Sequence, residues 1–214
     1  MNYFIGNKLV RNFIISDLML FGGWGLIAPL MSIFVLNEIQ GATLVTIGLL
    51  SAIYWTVRSL VELPMAVFIE KTESEKDDMY VLVSGLILIS SSAFIFNFVE
   101  TVPQLFICQA VHALGFALYS ASWSGIFSRH IEKNKAAFSW SLDHTVLGIA
   151  TGIAGVAGGY FAEAAGFNAI FIIVGLMSLA AAAIVFAVPD IIFPFPRRKY
   201  SAEGVPDHSP KTIR

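Results

Sequence analysis

From Thr43 to Lys71 the chain reads TLVTIGLLSAIYWTVRSLVELPMAVFIEK, a mostly apolar run with Arg58 and Glu62 inside it. A helix needs about 20 apolar residues to cross a bilayer, and this run is longer. Arg58 and Glu62 are spaced i, i+4, so they share a helix face and can pair. Ionised groups at such depth are costly and face a protein interior or a wet cavity. The run therefore demands a membrane bundle with something polar at its centre.

Five further apolar stretches predict spans near residues 13–36, 79–99, 103–127, 137–162 and 167–188, making six with residues 43–71. Pro29 is expected to kink the first. Glu163–Gly166 reads as a tight turn between the last two. The expected organisation is a cytoplasmic lead over residues 1–12, a six-helix transmembrane bundle over 13–190 and a cytoplasmic tail over 191–214. Composition agrees: 57% of residues are hydrophobic and 13% charged, against about 25% charged in soluble domains.

Orientation follows from the basic residues. With the N-terminus inside, every Lys and Arg except Arg58 falls on an inner segment, and the outer loops hold none. Both termini are thus expected in the cytoplasm, with the protein multi-pass in the plasma (inner) membrane. A net charge of −2 gives no nucleic-acid signal. The lone Cys108 reads as a small buried hydrophobe. There is no phosphate-binding loop, nucleophile motif or His/Cys metal cluster, so neither an enzyme nor a cofactor or metal site is expected.

The segment ELPMAVFIEK resembles the end of the second span of major facilitator superfamily transporters, where a Pro-x-Gly-x-x-x-Asp-Arg/Lys motif enters the first cytoplasmic loop. Pro64, Ala66, Glu70 and Lys71 occupy its positions, with Ala66 in place of the glycine. QAVHALGFA resembles the fourth-span Arg-x-x-x-Gly segment, with Gln109 for the arginine and Gly115 matching a glycine. That arginine is associated with proton coupling in the family, so such coupling is not carried over here. GIATGIAGVAGG resembles the glycine-rich fifth-span motif of the family's exporters. The resemblance implies an all-α membrane protein of six transmembrane helices arranged as two inverted three-helix repeats, one half of the family's fold. Shifting the sequence by 93 residues lays Phe68-Ile69-Glu70 on Phe161-Ala162-Glu163 and the second span on the fifth, in the opposite direction across the bilayer.

Asp17, Arg58, Glu62, Asp143 and His144 fall at similar depth and are expected to meet in the inner half of one bundle. They are candidates for a substrate- or proton-binding network; a structural ion-pair set is the alternative. His112 is a candidate proton carrier, or a neutral histidine bonded between helices. Trp123 is a candidate cavity-lining aromatic, with packing as the alternative. Gly148, Gly152, Gly155 and Gly159 share one helix face that lets backbones approach closely, within one bundle or between two.

A half-size transporter is expected to work as a homodimer by alternating access, moving a small solute through a cavity between two six-helix subunits. Its partners would be itself, the lipid bilayer, the solute and, should His112 act as a proton carrier, the proton. A heterodimeric half-transporter and a non-transporting membrane scaffold or assembly protein are the competing readings.

Overall fold

The computed structural model describes residues 8–71 and 75–187. These form α1 (Lys8–Ile27), a 3-10 turn (Ala28–Leu30), α2 (Met31–Glu38), α3 (Leu44–Lys71), α4 (Glu75–Phe96), α5 (Val102–His130), a second 3-10 turn (Lys133–Lys135) and α6 (Ala136–Phe186). Among the described residues there is no strand, only an isolated bridge between Gln40 and Thr101. Five helices among the described residues are long and apolar enough to cross a membrane, α1 and α2 counting as one.

The expected proline break is present as the 3-10 turn carrying Pro29. Pro64, in contrast, lies inside α3, which continues unbroken to Lys71. α1 begins at Lys8, within the expected lead of residues 1–12; residues 1–7 and the tail 191–214 lie outside the described residues. The fifth and sixth expected spans form one helical element of 51 residues, and the four-residue turn between them is reduced to Gly166 (φ 77°, ψ 174°). Only glycine adopts such angles readily. A straight helix of that length would measure about 77 Å, more than twice the hydrocarbon thickness.

The two sides of Gly166 both pack on α1. Before it, Asp143 lies near Asp17, and Gly158 meets the backbone of Leu26. After it, Val174 and Met177 meet Gly23, and Ser16 Oγ donates to the Ala181 carbonyl at 3.1 Å. The first half of α6 therefore climbs beside α1 and the second half descends beside it. α5 plays the matching part for α3 and α4, packing on both. Gly85 and Gly115 let α4 and α5 touch backbone to backbone. Ser90 Oγ, donating to the Gly175 carbonyl at 2.8 Å, joins α4 to α6.

Polarity is inverted relative to a water-soluble domain. Leu44, Leu60, Leu63, Ile107, Ile153 and Val156 stand exposed, whereas Ser16, Asp17, Ser92, Ser122, Ser139 and Asp143 are buried. A bundle solvated by hydrocarbon has this distribution, because apolar side chains lose nothing outside and polar ones must find partners inside. The loops at residues 39–43 and 97–101 meet at one end, where Gln40 N donates to Glu100 O at 2.8 Å.

Candidate functional site

α3 is the least buried long helix; of its residues only Thr46, Leu50 and Ile69 are buried, and it packs chiefly on α5. At this α3–α5 seam stands Arg58. Its Nε donates to Glu62 Oε2 at 2.7 Å, its Nη1 to Tyr54 Oη at 2.9 Å and its Nη2 to Ser120 Oγ at 3.0 Å. Ser120 Oγ in turn donates to Glu62 Oε1 at 2.8 Å. The ring thus closes across two helices, with one charge of each sign. Arg58 and Glu62 retain 22% and 33% side-chain exposure, so the pair is reachable from outside the bundle. The guanidinium also lies 5.5 Å from the Trp55 ring centroid and 5.9 Å from that of Tyr54.

A second polar group is closed off. Asp17 on α1 and Asp143 on α6 are each only 2% exposed. Tyr119 on α5 donates its hydroxyl to Asp17 Oδ1, and Asp143 is close enough for its charge to act on both. Asp143 Oδ1 and Ser139 Oγ, one turn apart, have no hydrogen-bond partner. Tyr119 thus ties α5 to α1, with the Asp143 carboxyl of α6 close by. We expect Tyr119→Phe to cost about 2 kcal/mol of stability by leaving a buried Asp17 oxygen unpaired. Loss of melting temperature in lipid nanodiscs measures it, with Tyr80→Phe as the exposed control.

His112 is hydrogen-bonded to neither group, although Tyr54 of the first lies 5.7 Å from it, centroid to centroid. Its ring sits 4.0 Å from that of Trp24 and 4.8 Å from that of Phe116, centroid to centroid. Ser92 Oγ donates to the Ile89 carbonyl at 2.7 Å, so the 3.1 Å contact with His112 Nδ1 is one in which the imidazole donates. The alternative of a neutral histidine bonded between helices fits this setting. Trp123 is buried and stacks on Phe127 at 4.5 Å, with Trp140 edge-on at 5.6 Å, and so belongs to the core. His144 is exposed, with Trp140 at 6.1 Å.

Hydrogen bonding divides the five expected charged residues into two groups whose charges still act on one another, Arg58 on Tyr119 and the exposed His144 on Asp143. Tyr119 holds Asp17 by a hydrogen bond, while the pair on α3 is closed through Ser120 of α5. Ser120 and Tyr119, which complete the two groups, carry no charge and stand out in no motif. Their only signal in the sequence is that they follow His112 by seven and eight residues, placing them on its helix face.

Of the loop-motif residues, Pro64, Glu70 and Lys71 are exposed and Ala66 half-buried. The loop beyond lies partly outside the described residues. Among the described residues three glycines of the face stand open and only Gly155 packs, on Pro29 and the Gly25 carbonyl. A Cβ on Gly148, Gly152 or Gly159 would meet nothing within 4 Å, and one on Gly155 would make ordinary contact with Pro29. Gly148, Gly152 and Gly155 floor a shallow groove edged by Pro29, Leu147, Thr151 and Val156. Close packing in this part of α6 falls instead on Gly158, where a Cβ would stand 1.9 Å from the Leu26 carbonyl oxygen. Among the described residues no group of three or more His, Cys, Asp or Glu side chains is placed to hold a metal ion.

No curated protein matches the chain. A family model described as Major Facilitator Superfamily matches residues 13–210, nearly its whole length. Long apolar helices, an outside-in distribution of polarity and this match lead to one assignment: the chain is a multi-pass membrane protein belonging to the Major Facilitator Superfamily, a family of transporters.

Proposed function

We propose that the chain is a secondary active transporter, built as a six-span half of the family's fold and working as a homodimer by alternating access. The observation that carries this reading is the half-exposed Arg58–Glu62 pair on a helix that packs on one side only. Hydrocarbon solvates such a pair poorly, so its open side is best met by a water-filled cavity between two bundles. The two halves of α6, running oppositely along α1, support six crossings. The inverted repeat is supported by packing: α1 holds the two halves of α6 as α5 holds α3 and α4. The 93-residue shift also lays Gly115, at the α5–α4 crossing, on Gly22, which meets Met177 across the α1–α6 crossing.

A second copy related by a twofold axis along the membrane normal would cover both open features, the α3 face and the glycine groove of α6. Rocking of one copy against the other would then expose the pair to each side in turn. Basic-residue placement supports both ends being cytoplasmic, in a bundle that belongs to the plasma (inner) membrane in this reading.

Gly152→Trp tests the assembly, since the added indole meets open space in one copy and fills the groove in a pair. Native mass spectrometry from nanodiscs is expected to give a dimer for the wild type and 23.3 kDa monomers for the variant, with the melting temperature little changed. A wild type that is monomeric in lipid and still moves solute removes the homodimer. Co-purification of a different bundle favours a heterodimer.

A further inference from the structure

We infer that the solute taken at the Arg58–Glu62 pair is a zwitterion with an aromatic body, an inference that rests on the transporter reading above. A guanidinium has five N–H donors. Three are engaged, by Glu62, Tyr54 and Ser120, which leaves two. Each Glu62 oxygen accepts one bond and has room for another. The pair therefore offers two donors on its positive member and two acceptor positions on its negative one. Both are on a partly exposed face.

Charge balance decides which ligand uses them. The ring is neutral as it stands. A solute bearing only a carboxylate would bring a net negative charge to this depth, and one bearing only an ammonium a net positive one. Either leaves one net charge uncompensated at this depth, a cost that water in the cavity lowers and does not remove. A molecule with both groups satisfies Arg58 with its carboxylate and Glu62 with its ammonium and leaves the site neutral. Carboxylate on guanidinium is also the geometry in which arginine binds most selectively.

The body of the solute is set by Trp55. It is 60% exposed, three residues before Arg58, and braced edge-on against Tyr54 at 5.2 Å. Its indole lies beside the guanidinium, so a ring attached to the zwitterionic carbon reaches it. Aromatic pairs of this kind add selectivity beyond the area they bury.

Three compounds sharing one phenyl group separate the possibilities: L-phenylalanine, 3-phenylpropanoate and phenethylamine. The full chain in nanodiscs is equilibrated with radiolabelled L-phenylalanine and competed with the other two. Each single-charge analogue is expected to compete at least about ten-fold more weakly than unlabelled L-phenylalanine. Trp55→Leu is expected to weaken L-phenylalanine binding about five-fold while leaving the weaker L-alanine unaffected. Equal competition by either analogue overturns the inference, as does an absence of L-phenylalanine binding to the folded wild type. If the protein then moves some other solute into proteoliposomes in an Arg58-dependent way, the transporter reading survives and only the zwitterion is lost. If it moves none, both fall.

Discussion

Gly158→Ala is expected to cost about 3 kcal/mol of stability, the upper part of the range for overpacking a tight interior. The added methyl would stand 1.9 Å from the Leu26 carbonyl oxygen and 2.7 Å from its carbon. Both are backbone atoms, so no side-chain rotation relieves the clash and α1 must move away from α6. That movement would spread. Gly25 on the same seam already has Ala154 Cβ and Thr151 Cα at 3.0 Å from the position of its own missing Cβ. Asp17 and Asp143 face one another further along it. The variant should unfold at lower temperature in nanodiscs and elute as aggregate after extraction. Gly152→Ala, six residues earlier on the open face, should behave as wild type in both measurements. Equal behaviour of the two variants would show that the α1–α6 seam is looser than these distances imply.

The contrast between Gly158 and Gly152 also shows what was legible in the sequence. The steps of four, three and four that pick out Gly148, Gly152, Gly155 and Gly159 correctly define one helix face, but spacing does not say what the face meets. The structure gives the close contact to Gly158, on another face, and leaves the regular stripe open. Element boundaries were legible because hydrocarbon fixes their length and because Pro29, Gly41 and Gly166 mark the breaks. Arg58 and Glu62 were legible as a pair because helical spacing alone brings them together. The group of Asp17, Tyr119 and Asp143 was not, because it depends on which faces of α1, α5 and α6 turn inward. Depth along the bilayer predicted one meeting point for all the charges. Rotation of each helix about its own axis, which the weakly amphipathic spans leave undefined, divided them into two.

Neutralising the α3 pair distinguishes a clip from a binding site. Arg58→Gln leaves Glu62 with Ser120 as its remaining partner, and Glu62→Gln leaves a cation held only by Tyr54 and Ser120. Each single change strands an ion at membrane depth, for which insertion scales give about 3 kcal/mol, reduced in proportion to the water that reaches the pair. The double variant Arg58→Gln/Glu62→Gln strands nothing, and its amides can still hydrogen-bond to one another and to Ser120. Its melting temperature in nanodiscs should therefore recover to within a few degrees of wild type, as replacements of whole ion pairs commonly do. Uptake should not recover. In proteoliposomes, uptake of the solute that most stabilises the wild type in a thermal screen should stay about 100-fold below wild type in the double variant. That factor corresponds to losing one charge-assisted contact of about 3 kcal/mol. Recovery of both folding and uptake would reduce the pair to a helix clip, and the seam between α3 and α5 would no longer be where solute binds. Recovery of folding alone would mean that the charges serve the solute, because an uncharged seam can still assemble the bundle but has nothing with which to hold an ionised guest.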